Sequence, residues 1–281
     1  MLNTIARIVI SAIFLSAYVG APHRQANAQD EVNVPSLWDP KSRLERPEPG
    51  SIKAIRFLTT TDFPPFQFRD RRGVLIGFNV DLAAAICNVL SVQCALQTRP
   101  YDTLVEALKD KTGDAIIAGM SEPRARVEGV EFTRPYFRIP ARFVSRRESR
   151  FDVADLGDGF VGVTCDTAHE AYIKTFFRNL KVACYTDTAT ALRELKARSI
   201  PLVFADALTT ASWLHDPVSE DCCRFASGPF LDERYFGPGL SIAVRADDRQ
   251  LRQALDYAVR EVHRTGVYEE LYLRYFPVSL F

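Results

Sequence analysis

The sequence predicts an α/β protein of two similar lobes, each built on a doubly wound, mostly parallel sheet, with two crossing strands between them. Short apolar strands alternate with amphipathic helices from residue 54 onward, and the strand and helix order of residues 54–117 is repeated over 161–204. Two extended segments, Phe137 to Val144 and Phe236 to Val244, separate the repeats and read as the crossings. Parallel strands joined through helices demand right-handed crossovers. Such sheets bind ligands at the carboxyl ends of their strands, so two lobes facing each other make a cleft there.

Each element has a local reason. Ala54-Ile55-Arg56-Phe57-Leu58 reads as a strand, and Thr59 to Phe66, with Pro64 and Pro65, as a turn-rich loop. A helix follows Gly77, with Asn79 as its expected cap, Asp81 at its positive end and Leu82, Ile86 and Leu90 on its buried face. Cys94 to Thr98 is the next strand. Thr103 to Lys109 is a helix opened by the capping box Thr103 and Glu106, and Asp114 to Ile117 is the third strand, ending in the small-residue turn Ala118-Gly119-Met120-Ser121. In the second half, Val161 to Val163 is a strand, and Thr167 to Leu180 is a helix opened by Thr167 and Glu170. Lys181 to Tyr185 is a strand, Thr188 to Arg198 a helix and Pro201 to Phe204 a strand. Ser241 to Val244 is the return strand. Asp248 caps a long helix with Leu251, Leu255, Val259 and Val262 on one stripe, Gly266 stops it, and Val267 to Tyr275 is the last helix.

Residues 1–28 read as a secretory signal: Arg7 in the n-region, an apolar run from Ile8 to Gly20, and the small-x-small site Ala26-Asn27-Ala28 before Gln29. The run falls short of the roughly 20 apolar residues that spanning a bilayer needs. Residues 29–50, with four prolines, many charges and no periodicity, read as a disordered leader in which Trp38 is a candidate packing residue. The 35 basic and 35 acidic side chains cancel, which argues against nucleic acid or an anionic membrane recognised by bulk charge. Six cysteines in an exported chain predict disulfides, and their sequence leaves many pairings open. A bond between the neighbours Cys222 and Cys223 is expected to be strained, so one of them is expected to pair with Cys165 or Cys184. Zinc held by Cys222, Cys223 and His215 is the alternative, weakened by the lack of CxxC spacing.

Two stretches carry a resemblance. DAIIAGMSEPRARVEGVEFTRPY at 114–136 resembles the AGMSITPERxxxVxFSxPY segment of the periplasmic solute-binding proteins that serve polar amino acid ABC transporters, the bacterial extracellular solute-binding proteins of family 3. GFNVDLA at 77–83 is similar to that family's signature at the same place, with Asn79 where an acid is usual. The resemblance implies the type II periplasmic binding protein fold, with lobe 1 from 51–139 and 238–281 and lobe 2 from 140–237. It implies a monomer in the periplasm, no cofactor, no metal and no catalysis, a small amino acid-like ligand and an inner-membrane ABC permease as partner. It also implies a Cys87–Cys94 disulfide.

Carried over residue by residue, the resemblance places Phe63 as the aromatic that stacks on the ligand and Gly119 as a backbone contact to its ammonium. Ser121 and Arg126, five residues apart as in the family, hold its carboxylate. Thr167 and Ala168 open the helix whose free N–H groups bind that carboxylate, and Asp206 takes the α-ammonium. Read without the resemblance, Phe63 is a core residue and Thr167 and Asp206 are helix caps. Three departures bear on the ligand: Asp166 brings a negative charge to the second-lobe helix start, His169 replaces a common glutamine, and Arg124 rivals Arg126. An enzyme of the cyclohexadienyl dehydratase type, using Glu122, Asp166 or His169 as an acid, is the competing reading. An accessory protein of a periplasmic oxidoreductase is a third.

Overall fold

The computed structural model describes residues 34, 44–122, 127–149, 159–276 and 279–281. The expected signal and Trp38 lie outside the described residues, as does all of 29–43 except Val34. The first sheet runs β5-β1-β6-β13-β7. In it β1 (Ala54–Thr59), β5 (Gln93–Thr98) and β6 (Ala115–Ile116) are parallel, and β13 (Ala243–Arg245) lies antiparallel between β6 and β7 (Val130–Phe132). The second sheet runs β10-β9-β11-β8-β12. Here β9 (Phe160–Thr164), β10 (Lys181–Tyr185) and β11 (Leu202–Asp206) are parallel, and β8 (Ala141–Arg146) lies antiparallel between β11 and β12 (Cys223–Phe230).

The two sheets therefore share a plan. Each has three adjacent parallel strands, one antiparallel strand that the chain forms just after passing from the other sheet, and a fifth strand antiparallel to that one. The crossings are tied to each other: Leu240 bridges to both Ser121 and Phe137, its N–H donating to the Phe137 carbonyl at 2.7 Å and its carbonyl accepting from the Tyr136 N–H at 2.8 Å. Between β1 and the first long helix lies a small antiparallel sheet of β2 (Asp62–Phe63), β3 (Gln67–Arg69) and β4 (Leu75–Ile76).

Burial follows the period-two rule along β1. Ile55 and Phe57 join the core under α1 (Phe78–Leu90), α7 (Arg249–Arg264) and α8 (Val267–Tyr275), while Leu58 faces the opposite cluster under α2 (Leu104–Lys109). In the second sheet Val161, Val163 and Phe204 pack on α3 (Ala168–Phe176), and Val144 and Val203 pack on α4 (Thr188–Lys196). Helix α5 (Ala207–His215) follows β11 directly, yet its Ala207 is fully buried in the cluster of the first sheet. A short α6 (Glu233–Phe236) precedes the second crossing.

Several expectations are corrected. Asn79 does not cap α1; Gly77 is the N-cap, and Asn79 sits fully buried in the first turn with its Nδ2 donating to Gln67 Oε1 at 2.7 Å. The first N–H groups of α1 are taken instead by the Pro65 and Phe66 carbonyls. Thr103 precedes α2 without capping it, because its hydroxyl donates to the Pro100 carbonyl. Thr167 does cap α3, but the Glu170 carboxylate turns to the Asp166 N–H and Lys174, and the helix ends at Phe176 rather than Leu180. Cys87 bonds Cys94. Cys165 bonds Cys184, and Cys222 bonds its neighbour Cys223, so the expected cross-pairing does not occur.

Gly77 has φ 134° and ψ 171°, a region open to glycine alone, and a Cβ there would stand 2.3 Å from the Phe66 carbonyl oxygen. Gly77→Ala should cost about 1–3 kcal/mol from backbone strain alone and lower Tm by several degrees, whereas Gly50→Ala, with no heavy atom within 4 Å, should cost less. Calorimetric melting of the two variants checks this, and equal melting of both would remove the constraint.

His263 of α7 is stacked on Tyr268 with ring centroids 3.6 Å apart, and burial pushes its imidazole down to about 4. Its folded value lies below the unfolded one near 6.5, so its contribution is complete above that pH and is lost as pH falls toward 4. The gap corresponds to at most about 3 kcal/mol. Urea unfolding between pH 7 and pH 4 should show a shallower loss of stability in His263→Phe than in the parent.

Candidate ligand-binding site

The described residues expected to form the site lie at or just after the carboxyl ends of β1 and β6 in the first sheet and of β9 and β11 in the second. After β1 the chain turns through Thr59 to Phe66, with the Phe66 N–H donating to the Phe63 carbonyl at 2.8 Å and the ring of Phe63 stacked on Phe66 at 4.9 Å. After β6 the chain reaches Gly119 with φ 72°. A Cβ on Gly119 would stand 2.4 Å from Phe63 Cε1, so the ring lies directly against bare backbone. Phe63 is half-buried: one face belongs to the core, as the local reading had it, and part of the ring remains accessible. Ser121, two residues on, pairs with Leu240 of the second crossing, and its Oγ faces Gly237. The structure thus brings Phe63, Gly119 and Ser121 together. Arg126 and its rival Arg124 lie outside the described residues.

Behind these residues runs a buried neutral chain. Gln67 Nε2 donates to Thr60 Oγ1 at 3.1 Å and Asn79 Nδ2 donates to Gln67 Oε1, with all three side chains at most 3% exposed. Tyr136 continues it, its hydroxyl facing Asn79 and the Gly119 backbone. Burial pushes that hydroxyl far above its ordinary range, and Asn79 and Gly119 oppose the shift. Neither Asn79 Oδ1 nor Tyr136 Oη makes a well-formed hydrogen bond among the described residues. An acid at position 79 would place a charge in this dry seam, so a neutral amide suits it.

In the second sheet, Thr167 is the N-cap of α3, its Oγ1 accepting from the Glu170 N–H at 3.4 Å and donating to the Thr164 carbonyl at 2.7 Å. Ala168 and His169 begin the helix, where N–H groups have no carbonyl four residues back within the helix. Asp166 precedes them in a left-handed conformation, exposed. Asp206 ends β11 and caps α5, its Oδ1 accepting from the Thr209 N–H at 2.7 Å. The capping role read locally is therefore real, and it engages one of the two carboxylate oxygens. His169 is held between Phe204 and Phe236, with ring centroids at 5.9 and 5.2 Å. Burial pushes its imidazole below the ordinary value, and the charge of Asp206 opposes that shift, so the two are neighbours.

Two features escaped sequence reasoning. Tyr101, in a single 3-10 turn at the carboxyl end of β5, is 54% exposed, an aromatic ring offered to solvent one strand away from the Phe63 loop. The only signal was the Pro100-Tyr101 pair in a turn. Ala168 and Ala171 share a depression with Glu233, Arg234 and Tyr235 of α6, and Glu233 pairs with Arg138 of the first crossing at 2.6 Å. Four residues are too few for a helical period to be read.

Comparison with known proteins supports the fold and gives the family. The chain is 30% identical to the ABC transporter arginine-binding protein 1 of Escherichia coli strain K12, over 81% of this chain and 93% of that one. It is 30% identical to the histidine-binding periplasmic protein of Salmonella typhimurium strain LT2, over 81% of this chain and 89% of that one. Among solved structures, the unliganded L-cystine solute receptor of Neisseria gonorrhoeae shares the fold, with TM-score 0.71 at 16% identity, covering 81% of this chain and 94% of that chain. Residues 55–278 match the family described as bacterial extracellular solute-binding proteins, family 3, and the chain belongs to that family.

Proposed function

We propose that this protein captures a small zwitterionic amino acid in the periplasm and delivers it, without chemical change, to an inner-membrane ABC permease. In this reading lobe 1 (51–139 and 238–281) and lobe 2 (140–237) close over the ligand by bending at the paired crossings. Phe63 covers the ligand's apolar atoms against Gly119, whose backbone touches the ammonium. Ser121, Arg126 and the N-terminal N–H groups of α3 at Thr167 and Ala168 share the carboxylate. Asp206 takes the ammonium with the carboxylate oxygen that Thr209 does not use. The observation that carries this reading is the position of Asp206: an acid at a strand's carboxyl end in one sheet, with the Phe63, Gly119 and Ser121 group at the strand ends of the other.

The relatives named for arginine and histidine support a basic amino acid as the ligand. The protein acts as a monomer with no nucleic-acid partner, and a signal peptide cleaved before Gln29 exports it.

Asp206→Asn separates two roles, because asparagine caps a helix as well as aspartate does. The variant should melt within about 1 °C of the parent, since its cap is kept, while binding of arginine or histidine in calorimetric titration weakens by about 2–5 kcal/mol. Unchanged binding would reduce Asp206 to a cap. The same titration of Arg126→Ala and Arg124→Ala assigns the carboxylate to whichever variant loses affinity by a similar amount.

A further inference from the structure

A second cavity adjoins the cleft but is lined by none of the residues assigned to it. It is lined by Pro64 and Pro65, by Leu208 and Ala211 of α5, and by Phe276 and Leu280, which are 3% and 1% exposed. Its volume is about 250 Å³. Apart from Ser212 and His215, exposed on the last turns of α5, and Tyr275, its lining residues are apolar.

We infer that this cavity is a binding site for a small aromatic molecule carrying one hydrogen-bond donor, such as a phenol or an indole. An apolar cavity of roughly 150 Å³ is enough to hold benzene, so a one- or two-ring compound fits the space. Two prolines and a buried phenylalanine suit a flat ring, and the exposed His215 and Ser212 offer an acceptor to its single N–H or O–H. Its walls include two elements that also carry cleft residues: Pro64 and Pro65 follow Phe63 in the same loop, and α5 starts just after its N-cap Asp206. An occupant would therefore rest against both elements that present cleft residues without touching the cleft atoms themselves. The inference does not depend on which solute the cleft takes.

The test is a calorimetric titration of the full protein with indole, repeated in two variants. Ala211→Phe fills the cavity from within, and Ser212→Trp, at an exposed position where folding is little at risk, closes its mouth. Saturable one-to-one binding by the parent, weakened at least tenfold in both variants while their circular dichroism and melting stay close to the parent's, is the expected result. Two results would overturn the site: no saturable binding by the parent up to the solubility of indole, or an affinity that Ser212→Trp leaves unchanged.

Discussion

The loop from Thr60 to Phe66 keeps its place only because two glycines leave room for it. Gly77 lets the start of α1 press onto the Phe66 carbonyl, and Gly119 lets the turn after β6 press onto the ring of Phe63. Neither contact tolerates a Cβ. Between them the chain of Thr60, Gln67 and Asn79 fills the seam with neutral hydrogen-bonding groups, so the aromatic ring is presented by a loop that is clamped at both ends and braced from behind. A binding surface that must receive many copies of the same ligand in the same pose benefits from such preorganisation, because little entropy remains to be lost on binding.

The second half of the protein presents its candidate residues by different means. At the ends of β9 and β11 the work is done by helix starts, where backbone N–H groups and capping side chains lie close together. Asp206 is the economical case: one oxygen orders α5 and the other remains available, so the group proposed for the ligand's ammonium is held in position by the helix it begins. The pairing of Leu240 with Ser121 and Phe137 ties the two crossings together at Ser121, one of the residues proposed for the ligand's carboxylate.

Much of this was legible in the sequence. Period-two burial along β1, the helical stripe of α7 and the repetition of strand and helix order gave the two sheets, because each is a local pattern that tertiary structure amplifies. What was misread depended on partners distant in sequence. Asn79 looks like a cap because asparagine at a helix start commonly is one, and only its contact with Gln67, twelve residues back, shows it to be part of a buried seam. Thr103 lost its capping role to a carbonyl three residues earlier. The cysteines followed their sequence neighbours at 222 and 223 where strain argued otherwise, and β12 was missed because Gly228 and Pro229 interrupt its alternation. The candidate site was legible chiefly through resemblance to a family, since no spacing of Phe63, Gly119, Ser121, Thr167 and Asp206 in the chain announces that they gather at the strand ends of two sheets.

The central claim is that both charged ends of an amino acid are held at once, and chemical blocking of each end tests it most directly. Calorimetric titration would compare free arginine with its N-acetyl and its carboxamide derivatives, which keep the side chain and remove one charge each. The account predicts that free arginine binds and that each derivative binds at least a hundredfold more weakly, a loss of about 2.7 kcal/mol or more. Derivatives that bind as tightly as free arginine would contradict it, because the cleft would then be reading the side chain alone.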